Sequence, residues 1–293
     1  MAMRKYTLRD FQTQFPDDAA CLDWLKDYLY PDGIHCKRCQ RVTKHHRAAT
    51  RPSFCCDRCG NHVHPTAGTI YHKSSTPLRL WFYATYLIAS TRCGVSAKQL
   101  ERELGVTYKT AWRMFKQIRS MMGDGVSPLS GEVEIDETYV GGRKRAQPGK
   151  RGRGTPGKTP VLGIVERGGR AVAKALPNIT ADTMMPVIHA AVPSKQTTVY
   201  TDELPTYERL TWQGYRHFTI RHSDKKYVRG FIHTNTVEGF WSLVKNGIRG
   251  VYHHVSPKYL QSYIDEYGFR YNRRGQHEAM FLSLLGRVEQ HAG

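Results

Sequence analysis

The sequence has no hydrophobic stretch long enough to cross a lipid bilayer. Its most apolar run, LWFYATYLIAS at residues 80–90, lies between Arg79 and Arg92, whereas a membrane-spanning helix needs about 20 apolar residues. The charged N-terminal segment MAMRKYTLRDFQ is not followed by the apolar core of a secretory signal peptide. We therefore expect a soluble, cytoplasmic protein with no membrane partner.

Acidic residues are scarce. The 293 residues include 25 Asp and Glu against 44 Lys and Arg, which gives a formal charge of +19 and a pI near 9.7. Such a balance indicates a polyanionic partner, and nucleic acid is the leading candidate. An acidic membrane surface is the alternative, but the sequence shows no basic amphipathic helix that resembles an anchor. The length suggests about two domains.

The sequence has seven cysteines, and four of them are paired in C-x-x-C motifs. Cys36 and Cys39 form one pair, and Cys56 and Cys59 form the other after sixteen intervening residues. Two such turns can offer four thiolates to one tetrahedral ion, so the spacing predicts one structural Zn²⁺. Cys55 is the alternative to Cys56, with a less usual spacing. Two further cysteines are expected to be buried apolar residues: Cys21 and Cys93.

Residues 96–121 fit a helix-turn-helix. Ser96 can cap a first helix that Gly105 ends, and Thr107 can cap a second, longer helix. Basic residues recur on the second helix at steps of three and four: Lys109, Arg113, Lys116 and Arg119. We expect this basic stripe to contact DNA; the alternative is an ordinary solvated helix face.

After a Gly-rich linker at residues 123–131, the pattern changes to alternating strands and helices. The predicted strands are 132–140, 160–166, 170–176, 197–201 and 215–221, with a helix at 180–192 before the last two. A Gly-, Pro-, Arg- and Lys-rich loop, 143–158, interrupts the pattern between the first two strands. We expect this basic loop to grip DNA phosphates.

The stretch EVEIDETYVGG places acidic side chains on a predicted strand of a basic protein. Glu134 and Asp136 point to one side by strand alternation, so Glu137 is expected to face away from Asp136. Asp202 ends another predicted strand, and Glu238 lies in a predicted helix.

Three such acids can bind two divalent cations that act on a phosphodiester. The oxygen ligands favour Mg²⁺ or Mn²⁺. Lys245 follows Glu238 by seven residues, two helical turns, and can share its face.

Several stretches carry a family likeness, among them FPDDAACLDWL, TAGTIYHKSSTPLRLWF, VEIDETYVGG, YTDELPTY and HTNTVEGFWSLVKN. Over nearly its whole length the chain resembles the DDE transposases of bacterial insertion sequences that carry an N-terminal zinc ribbon. The resemblance implies a ribonuclease H-like core with Asp136, Asp202 and Glu238 as catalytic metal ligands. Asn235 is the alternative for the third position, because related groups use either Glu or Asn there. Lys245 would contact the transferred DNA end.

The expected architecture is multidomain, α+β and α/β. We expect an N-terminal helix and zinc ribbon at 1–73 and a helix-turn-helix at 74–125. A catalytic domain with a mixed central sheet would follow at 126–275, then a tail at 276–293. The residues predicted to bind DNA are Lys109, Arg113, Lys116, Arg143, Lys144, Arg151, Arg153, Asn235 and Lys245.

The function implied by the resemblance is transposition. The protein would bind the terminal inverted repeats of its element, hydrolyse a phosphodiester at each end and transfer the strands to target DNA, using two Mg²⁺ or Mn²⁺ ions. A dimer or larger oligomer on double-stranded DNA is expected, in the bacterial cytoplasm with the nucleoid. The alternatives are a DNA-binding regulator that has lost catalysis and a metal-dependent nuclease without strand transfer.

Overall fold

A computed structural model describes residues 6–141, 157–220, 233–276 and 279–288. The chain divides into two compact units: Met1–Met121 with Gln276–Gly293 form the first, and Met122–Gly275 form the second. The domain boundaries expected from the sequence stay predictions. Within the described ranges, no helix is long and apolar enough to cross a membrane.

The helices and strands are numbered in chain order. The helices are α1 (Leu8–Gln14), α2 (Asp18–Leu29), α3 (Leu78–Ser90), α4 (Ala97–Leu104), α5 (Tyr108–Ser120), α6 (Ala181–Ala191), α7 (Glu208–Trp212), α8 (Asn235–Gly247), α9 (Leu260–Asn272) and α10 (Met280–Leu285). The strands are β1 (His35–Cys36), β2 (Arg41–Val42), β3 (His45–Arg47), β4 (Phe54–Cys56), β5 (His62–Val63), β6 (Glu132–Val140), β7 (Thr159–Glu166), β8 (Ala171–Ala175), β9 (Thr198–Thr201) and β10 (Arg216–Thr219).

Two helices of the first unit, α4 and α5, begin and end where the sequence predicts. The Ser96 hydroxyl accepts a hydrogen bond from the amide of Gln99 and caps α4, and the Thr107 hydroxyl does the same for α5 through Thr110. Gly105 ends α4 with φ +63°, a left-handed conformation that favours glycine. The two predicted helices of residues 96–121 and the turn between them are therefore confirmed.

Aromatic rings fill the core of the first unit. Phe11 and Phe15 are fully buried between the helices. The ring of Phe281, in α10, lies 5.8 Å from that of Phe11 and 6.0 Å from that of Phe15. The segment 276–293 was expected only as a tail, yet its helix α10 closes this core, because it carries apolar residues at helical spacing.

The cysteine-rich part of the first unit has very little regular structure and a small core. Strands β1 and β2 pair antiparallel, and β3, β4 and β5 form a separate antiparallel sheet. One buried cluster there consists of Leu22, Ile34 and Phe54. Strands of two or three residues around so few apolar side chains are rarely stable without a further constraint.

The second unit is built on a mixed five-stranded sheet of order β10-β9-β6-β7-β8. Strands β6, β7 and β8 are antiparallel neighbours, whereas β9 runs parallel to β6, and β10 runs parallel to β9. All five predicted strands and the helix at 180–192 are confirmed, and so is the mixed central sheet. Parallel strands need a crossover connection, which α6 and α7 supply here.

Strand alternation divides the apolar residues of the sheet between two cores. Ile135 and Leu162 face one side, where they pack with residues of α6 such as Met184. Val161 and Trp241 belong to the core of the other side, which contains α8 and α9. The sheet is therefore covered by helices on both faces, as a buried sheet with parallel strands requires.

Side-chain amides of α9 form hydrogen bonds with the backbone groups on the outer edge of strand β8. Asn272 accepts from the amide of Ala171 at 2.7 Å and donates to its carbonyl at 3.0 Å. Gln261 accepts from the amide of Ala175 at 2.8 Å and donates to the carbonyl of Ala173 at 3.2 Å. The two amides replace a neighbouring strand, so this edge is not open to pairing with another chain.

Candidate active site and cysteine cluster

Asp136 and Asp202 lie together where parallel strands β6 and β9 run side by side. Glu134 of β6 pairs with Tyr200 of β9, the last pair in their register. Two residues further along each strand, the chain reaches Asp136 and Asp202, and carboxylate oxygens of the two residues lie within 4.8 Å of each other. The predicted proximity of the first two acids is therefore present in the fold.

Glu137 joins these acids, and the expectation that it faces away is wrong. One of its carboxylate oxygens lies within 4.8 Å of oxygens of both Asp136 and Asp202. Alternation does put its side chain on the opposite face of β6, where the Tyr207 hydroxyl donates to it at 2.9 Å. Strand β9, however, ends at Thr201, and within the described ranges no strand pairs with this edge of β6 beyond Glu134, so side chains from both faces can reach around it.

Burial and mutual repulsion make this acidic group electrostatically unfavourable. Burial, followed by the charge of Asp202, raises the pKa of Asp136 to about 6 and that of Glu137 to about 7. The positive charge of Lys245 partly opposes this rise in the pKa of Asp136. Carboxylates in such surroundings are stabilised by a bound cation, and oxygen donors at these separations suit Mg²⁺ or Mn²⁺.

Trp241 of α8 orients the carboxylate of Asp136. Its indole Nε1 donates to Asp136 Oδ2 at 2.9 Å, and the ring lies over Gly163, the β7 residue that pairs with Asp136. A Cβ atom at Gly163 would come within 2.4 Å of the indole. Glycine is therefore required here because the indole occupies the space of a side chain.

Replacing Gly163 by alanine should displace the indole and destabilise the second unit. We expect Gly163→Ala to lower the free energy of unfolding by about 1–3 kcal/mol, the usual range for overpacking a filled core. Denaturant unfolding measures this. Gly239→Ala is the matched control, because a Cβ atom there meets nothing within 4 Å and alanine favours its helix. Equal stability of Gly163→Ala and the parent would show that the ring moves freely.

Glu134 holds the start of α8 against β6. It is fully buried, and its carboxylate accepts from the backbone amides of Thr236 and Val237 at 2.7 and 3.0 Å. Arg167 donates to it at 2.8 Å and also to the carbonyl of His233 at 2.9 Å. A carboxylate at a helix N-terminus satisfies free amides and the helix dipole, so this acid positions α8 beside Asp136.

Loss of the Glu134 carboxylate should strongly destabilise the second unit. Glu134→Ala leaves the Arg167 side chain, itself 15% exposed, without its buried partner. We expect a loss of about 3–5 kcal/mol in the free energy of unfolding. Glu132→Ala is the control: its side chain is 50% exposed and pairs with the same arginine, so a loss under about 1 kcal/mol is expected. Equal losses in the two variants would contradict this distinction.

The helix α8 carries the remaining predicted residues of the site. Asn235 is its first residue. Glu238 is an exposed residue of its first turn and accepts a hydrogen bond from the Thr234 hydroxyl at 3.4 Å. Lys245 lies in the last turn of the same helix. Among the described residues, the close acidic group consists of Asp136, Glu137 and Asp202 and does not include Glu238.

Basic side chains of α5 form an exposed stripe that is shorter than expected. Lys109, Arg113 and Lys116 are exposed, as a surface for DNA requires. Arg119 is only 3% exposed, and its guanidinium lies 4.1 Å from the ring centre of Phe115. Including Arg119 in the stripe is therefore wrong, because the last turn of α5 faces the core. Four further residues predicted to bind DNA lie outside the described ranges: Arg143, Lys144, Arg151 and Arg153.

The four cysteines of the two C-x-x-C motifs converge, and their Sγ atoms all lie within 4.8 Å of one another. Cys36 and Cys59 have sulfurs 3.5 Å apart, and those of Cys39 and Cys56 are 3.9 Å apart. Tetrahedral coordination with Zn–S bonds of about 2.3 Å needs sulfurs about 3.8 Å apart. The thiols therefore fit a structural Zn²⁺.

Interactions within this group lower the pKa of the Cys36 and Cys56 thiols and raise that of the Cys39 and Cys59 thiols. The Thr43 hydroxyl, 3.2 Å from the sulfur of Cys56, lowers the pKa of that thiol to about 6.

Cys55, the alternative ligand, is only half-buried and is not in the group of four. Cys21 is buried as expected, whereas Cys93 is exposed, because it follows α3 in a surface turn.

The chain is similar in sequence to known proteins. Residues 128–272 match the family described as ISXO2-like transposase domain. An uncharacterized protein in transposable element ISH50 of Halobacterium salinarum is 28% identical over 267 residues, 85% of this chain and 90% of that protein. An uncharacterized transposase-like protein of Haemophilus influenzae is 26% identical over 97 residues, 33% of this chain and 76% of the relative.

Two solved structures are similar at 10% identity, the pre-cleavage Mos1 transpososome and the Mos1 strand transfer complex. Their TM-scores are 0.30 and 0.29, and the matches cover 72% of this chain and 76% and 78% of those chains. The family match carries the assignment: residues 128–272 match the ISXO2-like transposase domain, a family of DDE transposases. The family resemblance found in the sequence is confirmed.

Proposed function

We propose that this protein is a DNA transposase that cleaves the ends of an insertion sequence and joins them to target DNA. One observation carries the proposal: within an ISXO2-like transposase domain, the fold brings the carboxylates of Asp136 and Asp202 from separate strands to within 4.8 Å. Such a family implies divalent-metal chemistry on DNA, and the oxygen donors here suit Mg²⁺ or Mn²⁺.

The acids of the second unit have distinct roles in this proposal. Asp136 and Asp202 hold the two cations from adjacent strands, and Glu238 joins them from α8 as the third acid. When bound, the cations activate the attacking oxygen and stabilise the leaving oxygen. Asn235 and Lys245, on the same helix, contact the DNA end, and Lys245 offers its charge to a phosphate.

Recognition of the element ends belongs to the first unit in this proposal. A Zn²⁺ held by four thiolates stabilises the small sheets, and Lys109, Arg113 and Lys116 present charge on one exposed face of α5. The basic loop 143–158 adds phosphate contacts. Because two ends must be joined in one event, at least a dimer assembles on DNA.

The test is an assay with double-stranded DNA that carries the inverted repeats flanking the gene. The protein is incubated with Mg²⁺ and this DNA, and products are resolved on denaturing gels. Cleavage at the repeat followed by joining to a second duplex supports transposition. Cleavage without joining indicates a nuclease, and binding without cleavage in Mg²⁺ or Mn²⁺ indicates a regulator. Either of the last two results overturns the proposal.

A further inference from the structure

Glu137 adds a carboxylate that the three-acid description of this site does not use. We propose that Glu137 is a further cation ligand in the catalytic site, beside Asp136 and Asp202. The inference rests on the proposed function, because it assumes that divalent cations bind at these acids. By strand alternation alone, Glu137 would be placed on the face of β6 opposite Asp136 and would be left out of the site.

The position of Glu137 is fixed by a buried partner. Tyr207 is 1% exposed, and its hydroxyl donates to Glu137 Oε2 at 2.9 Å. A carboxylate has two oxygens, so this bond can hold the side chain while Oε1 stays available to a cation. A hydrogen bond from a buried side chain is how proteins commonly orient metal-ligating carboxylates.

Glu137 lies on β6 beyond the point where the neighbouring strand β9 ends, and this position explains how it reaches the site. Asp136 approaches from the face that α8 covers, and Glu137 approaches from the face that Tyr207 covers. Asp202 directly follows β9, and one carboxylate oxygen of each of the three acids lies within 4.8 Å of the other two, so the three carboxylates converge from three different positions in the fold. Donors that converge from different directions suit the octahedral geometry of Mg²⁺ better than donors from one face.

Charge supports the same assignment. Two divalent cations carry +4, and the acids Asp136, Asp202 and Glu238 together carry −3. A fourth carboxylate balances the cations within the protein itself, before any phosphate arrives. The expected consequence is that Glu137 contributes most to cation affinity when DNA is absent.

Cation binding without DNA tests this directly. The full-length, zinc-loaded protein is titrated with Mn²⁺ by isothermal titration calorimetry. We expect Glu137→Gln, which keeps the size of the side chain and removes its charge, to weaken Mn²⁺ affinity roughly tenfold or more. Glu203→Gln is the matched control: Glu203 adjoins Asp202 as Glu137 adjoins Asp136, but it is exposed and outside the acidic group. The Mn²⁺ affinity of Glu203→Gln should equal that of the parent.

Two further variants separate the inference from the proposed function. Asp202→Asn removes a metal ligand that both the proposed function and the inference about Glu137 require. Tyr207→Phe removes only the hydrogen-bond donor that holds Glu137. If Asp202→Asn weakens Mn²⁺ binding while Glu137→Gln and Tyr207→Phe bind like the parent, the inference about Glu137 is overturned and the proposed site stands. If Asp202→Asn also binds Mn²⁺ like the parent, the metal site itself is wrong. Weaker binding in Tyr207→Phe supports the inference even if Glu137→Gln fails to fold.

Discussion

Asp202→Asn lowers the rate of DNA strand cleavage by about 10³-fold or more, the expected loss when one charged group of an electrostatic active site is neutralised. This corresponds to about 4 kcal/mol of transition-state stabilisation. The substitution keeps the shape of the side chain, so the amide of Leu204 can still donate to it as it does to Asp202 Oδ1 at 3.1 Å. The neutral carboxamide, however, holds a hard cation weakly.

The same variant should not lose stability, and this distinguishes a catalytic acid from a structural one. Asp202 repels Asp136 and Glu137 when no cation is bound, as the raised pKa values of those two residues indicate. We therefore expect the melting temperature of Asp202→Asn in magnesium-free buffer to equal or exceed that of the parent. A lower melting temperature would mean that the carboxylate serves the fold.

Asp182→Asn is the matched control for the cleavage assay. Asp182 lies on α6 in the same unit, its side chain is 88% exposed, and it pairs with Arg209 at 3.1 Å. The same chemical change there should leave cleavage within about twofold of the parent, because an exposed ion pair contributes little. Parental cleavage by Asp202→Asn would eliminate the proposed active site.

Cys56→Ser causes loss of the bound zinc and unfolding of the cysteine-rich region. A structural zinc site of this kind contributes about 10 kcal/mol or more to folding of its module. The buried cluster of Leu22, Ile34 and Phe54 cannot replace that energy, because the adjoining strands have only two or three residues. Zinc content by atomic emission and limited proteolysis of the full-length protein measure the two effects.

Cys55→Ser is the control for the same chemical change one residue away. Cys55 alternates with Cys56 on β4 and is not among the four converging thiols. It should keep one zinc per chain and the proteolysis pattern of the parent. Retention of zinc by Cys56→Ser, or loss of zinc by Cys55→Ser, would reassign the fourth ligand.

Local patterns in the sequence were sufficient for most elements and for the cysteine cluster. The bounds of β6 and α6 follow from alternation and helical periodicity, which depend on neighbouring residues only. Cys36 and Cys39 lie one turn apart, so any compact fold of that segment aligns their sulfurs. The capping residues Ser96 and Thr107 likewise act within four residues of their own positions.

The role of Glu134 could not be read from the sequence, although its charge was visible. Its partners Thr236 and Val237 lie about a hundred residues away along the chain, and only packing of α8 on the sheet brings them to it. Arg119 shows the same limit. Helical spacing groups it with Arg113 and Lys116, but the packing of α5 turns its last residues towards the core.

By itself, the sequence determined the family, the strands and helices, the two cysteine motifs and the identity of Asp136 and Asp202 as candidate ligands. Only the tertiary structure decided that Glu137 lies with them. Strand alternation determines on which face of the sheet a side chain begins. A neighbouring strand keeps the side chains of the two faces apart, but beyond the end of that strand they can meet. Here β9 ends at Thr201, and no strand among the described residues continues along this edge of β6, so side chains from both of its faces meet there.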